Sequence, residues 1–584
     1  MSNRALVTSA SLIVALICTL ASAPIDSSSE PLITRTSSGT GPSSWCRQLA
    51  ELQLAPSPLG ADAKHHSPDL DPNGKPIAIA PGPGGYVPVL VVHGLDGNDL
   101  HTSTRAGAFS GLISMTANPL GKVQPRTSLI GQLQDVPGAA VFTFNYNQFA
   151  NQWVTNPNIG PALGAAIDCL YSASHQKVII VAHSMGGLAV RLELGGEANA
   201  SRAVKVSSVV TFGTPNDGSV VASMASAVEV PAASIFNSAD AGLVGVLESG
   251  CDVADVFSPQ NMCSLYPHFM KASVEPAIAA LAYNSASIRA LPALPSSIHL
   301  DSLAGNMTFD VSGASWFRNP LKVKDLSIGD GLVTTNSAVA THGASDVLNC
   351  KYTLSVSRRA GDHLLVAAGL EATSDVPKLA YTQGAYWPCY HGDLMDSIEL
   401  TNDALGDVDQ DIVARQNAFI AAGLQTIMAP AMCARPSGRF VGGSLPIQDP
   451  LNNGYTQFVQ NQDGSTVYQV GDPRSNTAGL IAVAFNCSAG GVDWPDVVGF
   501  YDSNLSLVAT LDLGSIDNQE HSAIQTMKFE NGALHLTWVT NDACNTGAAV
   551  DVPRSGDFTL GPDNAVTASN LTTGAAPTTG CTGG

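Results

Sequence analysis

Positive charge is scarce in this chain: 27 Lys and Arg stand against 48 Asp and Glu, a net charge of −21 over 584 residues. The few cations are not clustered, which argues against a nucleic acid or an anionic membrane surface as partner, since both need concentrated Lys and Arg. Beyond residue 23 no uncharged apolar run is long enough to span a bilayer. No pair of cysteines shows Cys-x-x-Cys spacing, so a zinc site is the weaker reading of the cysteines. No cluster of ligands locates a calcium ion, and no internal repeat of fixed period is evident.

What the chain does have is apolar bulk. With 45% hydrophobic residues it can bury at least one large core and has the length for two domains. Residues 1–23 carry Arg4, then an apolar run to Leu20, then Ala21-Ser22-Ala23, the layout of a secretory signal peptide. Export is therefore expected; a signal anchor is the alternative, disfavoured because the run is short for a membrane span. Setting aside Cys18, the 11 cysteines leave an even number, which in an exported chain favours disulfides. The expected pairs are Cys46 with Cys169, Cys251 with Cys263 and Cys350 with Cys389, the last four pairing among themselves, although spacing alone does not settle connectivity.

The chain is organised around residues 177–191. The run 178–182 is continuously apolar, as in a strand buried on both faces, and Leu188, Ala189 and Leu192 resume at helical spacing. Ser184 sits at the turn between them, in Ala182-His183-Ser184-Met185-Gly186. A small residue before the serine and glycine after it permit a sharp strand-to-helix bend that leaves the hydroxyl projecting. At this point the sequence resembles the α/β-hydrolase family, specifically its bacterial lipases and carboxylesterases, with Ala182 where the family usually has glycine. The resemblance implies a nucleophilic role for Ser184. It also implies that His93-Gly94-Leu95, directly after the strand-like run 87–92, opens an oxyanion loop, with the amides of Leu95 and Met185 as oxyanion donors. His93 and His183 themselves are expected to be structural.

Further strands are expected at 141–146 and 206–212 with a helix over 159–174 between them; this alternation indicates a mostly parallel sheet. The segment 213–219 (Gly-Thr-Pro-Asn-Asp-Gly-Ser) is a feature associated with lipases and related acyl-transferring hydrolases. Between residues 219 and 295 an apolar insertion with helical spacing at 222–233 and 274–283 reads either as a lid over the nucleophile or as a fixed helical layer. Asp330, in Gly329-Asp330-Gly331-Leu332-Val333, resembles the acid of a bacterial lipase triad. In this fold the histidine follows the acid, leaving His342, His363 and His391. His391 is favoured, because it lies in a loop past a plausible strand and beside Cys389, which could pin that loop.

Residues 24–78 are expected to form a flexible extension with a short helix near Trp45, residues 79–430 the α/β-hydrolase domain, and 431–584 a β-rich module, a sandwich or propeller-like. The functional expectation is an exported serine hydrolase cleaving carboxylic esters, lipid esters foremost, through Ser184, His391 and Asp330, with no cofactor for the chemistry and with transient contact to a lipid interface. The structural calcium of some similar lipases is left open, because no ligand cluster locates it. Two rivals remain open: an acyltransferase using the same triad, and a non-catalytic binding protein on a hydrolase scaffold.

Overall fold

A computed structural model describes residues 41–55, 81–95, 97–98, 108–110, 113, 116, 128–225, 276–313, 321–327, 329–339, 342–356, 369–371, 388–445, 454–473, 475–488, 494–517, 521–541 and 552–575. The expected signal peptide, Cys251 with Cys263, His363 and most of the lid-like insertion lie outside these residues. The chain divides into two compact units, the first holding 87–136 and 140–409 and the second 410–584 together with 68–86 and 137–139.

The first unit is built on one sheet. Its strands are β1 (Leu52–Leu54), β2 (Val87–Val92), β3 (Ala139–Phe144), β4 (Val178–His183), β5 (Val206–Phe212), β6 (His299–Gly313), β7 (Leu321–Ser327), β8 (Ala344–Val356) and β9 (Gly369–Glu371). They lie in the order β1-β3-β2-β4-β5-β6-β8-β9, with β7 pairing β6. The pairs from β2 through β4, β5 and β6 to β8 are parallel; β1, β7 and β9 add antiparallel partners. Every residue of β2 and β4 is buried, which is why both read as unbroken apolar runs. The first unit's helices include α1 (Leu129–Gln134), α2 (Gly160–Ser174), α3 (Met185–Leu194), α4 (Val220–Ala225), α5 (Pro276–Leu281) and the start of α6 (Ile398–Leu424). Arg202 pairs with Asp168 on α2 and with Glu193 on α3, tying these two helices together.

From β2 the chain passes outward to β3 and then returns to the opposite side of β2 as β4. The strand order thus reverses between β2 and β4, and ligands of open α/β sheets bind outside the carboxyl ends of strands at such a reversal. Ser184 follows the end of β4 and His93 the end of β2. Strand order, parallel pairing and the strand-turn-helix at Ser184 make this an α/β-hydrolase fold.

Three disulfides are described: Cys46–Cys169, Cys350–Cys389 and Cys433–Cys487. The first two are the expected pairs, and the third falls within the group of four.

The second unit stacks three layers. One sheet has β12 (Tyr455–Phe458), β14 (Ile481–Ser488), β15 (Val497–Tyr501) and β16 (Leu507–Asp512) in order, with β13 (Tyr468–Val470) pairing β14, and a separate hairpin joins β10 (Met428–Ala429) and β11 (Gly438–Arg439). The other sheet runs β17 (Ser522–Glu530), β18 (Ala533–Thr540), β19 (Val552–Leu560) and β20 (Val566–Thr573). Ala482, Ala484, Val498 and Phe500 of the first sheet pack with Leu534, Leu536, Trp538 and Phe558 of the second. The first sheet's opposite face, with Val483, Phe485 and Tyr501, is covered by Ile420 and Leu424 of α6. β14 is therefore apolar nearly throughout, whereas β18, with one face outward, alternates. The β-rich C-terminal module is a two-sheet sandwich.

Two sequence expectations are corrected. The division falls at Gln410, inside α6, and not at residue 431, because the helix runs through the boundary without a break and its last turns belong to the core of the second unit. Correspondingly, residues 81–86 group with the second unit and not with the α/β-hydrolase domain. Near Trp45 there is a short 3-10 turn, Pro42–Ser44, and then the strand β1, not a helix; Leu52-Gln53-Leu54 alternates, and pairs antiparallel with Phe144-Thr143-Phe142 at the edge of the sheet.

Candidate active site

Ser184 lies between β4 and α3 with φ 54° and ψ −128°, a conformation costing a non-glycine residue roughly 1–3 kcal/mol. The surroundings hold it there. Its N–H donates to the Phe212 carbonyl at 2.9 Å, fixing the turn to the end of β5. The first turn of α3 passes so close to β2 that a Cβ at Gly186 would stand 2.4 Å from the His93 carbonyl oxygen and 2.5 Å from that of Val92. Glycine is thus required by backbone approach. A Cβ on Gly94 would likewise lie 2.7 Å from the Ser184 Cβ.

The Ser184 hydroxyl is 2.8 Å from Nε2 of His391, and Nδ1 of His391 is 2.8 Å from Oδ2 of Asp330. These three side chains come from three separate segments, and all are buried. Asp330 has no exposed surface, and its other oxygen accepts the backbone N–H groups of Leu332 at 3.0 Å and Val333 at 2.7 Å. With one oxygen so held, the other is aimed at His391. Because a carboxylate only accepts, His391 Nδ1 carries the proton and Nε2 is left to accept from the serine.

The loop bearing His391 is pinned at several points. Its backbone N–H donates to the Asp330 carbonyl at 2.9 Å, and its carbonyl accepts from Nε2 of His183 at 3.0 Å. Cys389, two residues earlier, is bonded to Cys350 of β8. Burial, reinforced by the neighbouring His391 ring, pushes His183 well below the ordinary imidazole value, so it stays neutral with Nε2 as its donor. His93 is neutral by geometry: Nδ1 donates to the Gly94 carbonyl at 3.0 Å while Nε2 accepts the Tyr146 N–H at 3.1 Å. Tyr146 stacks on the ring at 4.0 Å and donates its hydroxyl to the His93 carbonyl. Both His93 and His183 brace loops, as the sequence suggested.

Met185 is the first residue of α3, where a backbone N–H has no partner within the helix. Leu95 follows the end of β2 and lines the same pocket as Ser184 and His391. His342, also described, sits at the start of β8's approach and makes no contact with Ser184 among the hydrogen bonds seen there. Gly213, with φ 56°, backs the Asp330–His391 pair: a Cβ there would lie 2.9 Å from Asp330 Oδ2 and 3.0 Å from His391 Nδ1. The sequence marks residues 213–219 as a lipase-associated segment but does not reveal this contact; a glycine directly after a buried strand is the available signal.

The pocket beside Ser184 is walled by Ala222 on α4, Ile278 and Leu281 on α5, and Leu332 and Val333 next to Asp330. Ala222, Ile278 and Leu281 fall in the stretches 222–233 and 274–283 of the apolar insertion, and Leu332 and Val333 in the motif around Asp330, although the sequence did not mark any of them as a pocket wall. Among the described residues no group of three or more His, Cys, Asp or Glu is arranged to hold a metal ion.

A profile of the lecithin:cholesterol acyltransferase family matches residues 161–231, the stretch from α2 through Ser184 to Ser219 and just beyond. No curated protein matches the chain. Solved structures similar to it include the mature Bacillus licheniformis lipase BlEst2, at 17% identity over 49% of this chain and 88% of that one, TM-score 0.26. The propeptide form of the same lipase aligns at 12% identity over 84% and 97%, TM-score 0.28, and Aspergillus fumigatus lipase B at 15% over 46% and 44%, TM-score 0.24. The strand order and the turn at Ser184 give the chain its α/β-hydrolase fold, and its segment around Ser184 resembles the lecithin:cholesterol acyltransferases.

Proposed function

We propose that this protein cleaves carboxylic esters by nucleophilic catalysis at Ser184. The observation that carries the reading is the unbroken hydrogen-bonded line from Ser184 Oγ through His391 to Asp330, with both links at 2.8 Å. In the proposed reaction His391 Nε2 takes the serine proton as Oγ attacks the acyl carbon, then returns it to the departing alcohol. Asp330 fixes the tautomer of His391 and stabilises the imidazolium. The developing oxyanion meets the amides of Met185 and Leu95, each such donor lowering the barrier by roughly 3 kcal/mol. Water, activated by the same histidine, releases the acid. The chemistry needs no cofactor.

The substrate in this reading is an ester with an apolar acyl part, a class that includes lipid esters, since apolar side chains wall the space beside Ser184. Disulfides and the signal-like start of the sequence favour export. Among the described residues no helix is long and apolar enough to cross a membrane. A second reading, transfer of the acyl group to an alcohol, is favoured by the acyltransferase profile over residues 161–231. Incubating the full chain with a p-nitrophenyl ester and an added alcohol tests both: free acid marks hydrolysis and a new ester marks transfer. Formation of either product by Ser184→Ala protein at the wild-type rate would end both readings.

A further inference from the structure

We propose that the pocket beside Ser184 restricts the acyl group to short chains, about two to four carbons, with Ile278 and Leu281 as the residues that set the limit. The inference rests on the ester-cleaving reading of Ser184. The pocket next to Ser184 and His391 has a volume of about 50 Å³. A single water needs roughly 10–15 Å³ of comparable space, so this one holds on the order of four small groups. It is far below the ~300 Å³ at which sites for drug-sized ligands begin.

The walls are packed and tied. Ala222, Ile278, Leu281 and Val333 are each under 10% exposed, at 6%, 4%, 5% and 2%. Ser219 links all three wall segments. Its N–H donates to the Leu281 carbonyl at 2.7 Å, its carbonyl accepts from Tyr283 at 3.2 Å and Ser223 at 3.1 Å, and its hydroxyl donates to the Leu332 carbonyl at 2.7 Å while accepting from Ala222. Ser223 adds a tie across α4 and α5 by accepting the Tyr283 N–H at 2.7 Å. Widening the pocket between Ile278, Leu281 and Leu332 means breaking several of these hydrogen bonds. A long acyl chain exceeds the space left between the side chains of α5 and Leu332. A short one fits between them and gains their apolar contact.

The test is a chain-length profile of kcat/KM on p-nitrophenyl acetate, butyrate, hexanoate, octanoate and palmitate, using the full chain and the variants Leu281→Ala and Ile278→Ala. Wild type should peak at acetate or butyrate and fall about 10-fold or more for each step beyond the pocket's reach. Either variant should raise the octanoate-to-butyrate ratio by about 10-fold or more. Being a ratio, this readout does not depend on how much of a variant is folded, and Leu281→Val, which removes less volume, should shift it in the same direction by less. A wild-type profile flat or rising to octanoate, or variants whose ratio does not move, overturns the inference while leaving ester cleavage intact. Failure to cleave any ester of the series overturns the ester-cleaving reading itself and the inference with it.

Discussion

Replacing Gly213 with alanine should separate the catalytic role of the Asp330–His391 pair from its packing role. Gly213 follows β5 with φ 56°, and its N–H donates to the Leu303 carbonyl at 2.9 Å, so the backbone is not free to relax. Left-handed backbone costs an alanine about 1–2 kcal/mol. The new Cβ would also stand 2.9 Å from Asp330 Oδ2, 3.0 Å from His391 Nδ1 and 3.0 Å from Leu394 Cδ1, where ordinary contact begins near 3.4 Å. The His391–Asp330 pair must then give by several tenths of an ångström. Since a misplacement of about 1 Å can cost 10²-fold in rate, a fall in kcat of about 10- to 10²-fold is expected, with KM little changed because Gly213 is not a pocket wall. The assay is steady-state hydrolysis of p-nitrophenyl acetate beside thermal unfolding. Gly343→Ala is the matched control, with φ 94° and a Cβ that would meet the Leu300 carbonyl at 2.2 Å, on a segment that does not contribute to the pocket. It should lose stability and keep its kcat. If Gly213→Ala also loses only stability, the pair does not depend on that close packing and the reasoning fails.

Removing the Cys350–Cys389 bond with paired serines should cost roughly 4 kcal/mol in the loop-entropy account for its separation of 39 residues, and should lower kcat as well, because Cys389 anchors the loop that carries His391; unchanged kcat in the folded fraction would mean that other contacts hold the loop. A pH effect should come from the carboxyl pair Asp301 and Asp407, whose Oδ1 and Oδ2 respectively are buried without a hydrogen-bond partner. Burial first, and then Asp407, push Asp301 up to about 7 from 3.8. The folded state therefore holds a proton that the unfolded chain has released, so stability is greatest on the acid side and falls as pH rises between about 4 and 7. Asp301→Asn, which imitates the protonated form, should be more stable than wild type at pH 8, with the gap closing toward pH 4. Denaturant titrations at both pH values check this, and an equal gap at both would refute it.

Some of this architecture was legible in the residues and some was not, for physical reasons. β2, β4 and β5 read as strands because both faces of a central parallel sheet are covered, so the apolar run is continuous. Ser184 was legible because its strained turn demands small neighbours, and Gly186 leaves a local trace of that demand. His391 could be chosen among three histidines because a cysteine that anchors the loop stands two residues away. β6 was not legible along its full length, since polar residues such as Asn306, Thr308 and Ser312 mask a strand that extends to Gly313. The unit boundary was hidden by a helix with no glycine or proline at residue 410. Gly213 against Asp330 and His391, and Ser219 against Leu281 and Leu332, are contacts between segments far apart in the chain. No local spacing encodes them.

The central claim, that Ser184 is a nucleophile activated through His391, is tested most directly by reacting the purified full chain with a fluorophosphonate and reading its intact mass. The account predicts stoichiometric gain of a single phosphonyl group on Ser184 in wild type, none in a folded Ser184→Ala protein, and slowed labelling in His391→Ala. Labelling that persists in Ser184→Ala, or a wild type that resists the reagent while hydrolysing esters, would contradict it.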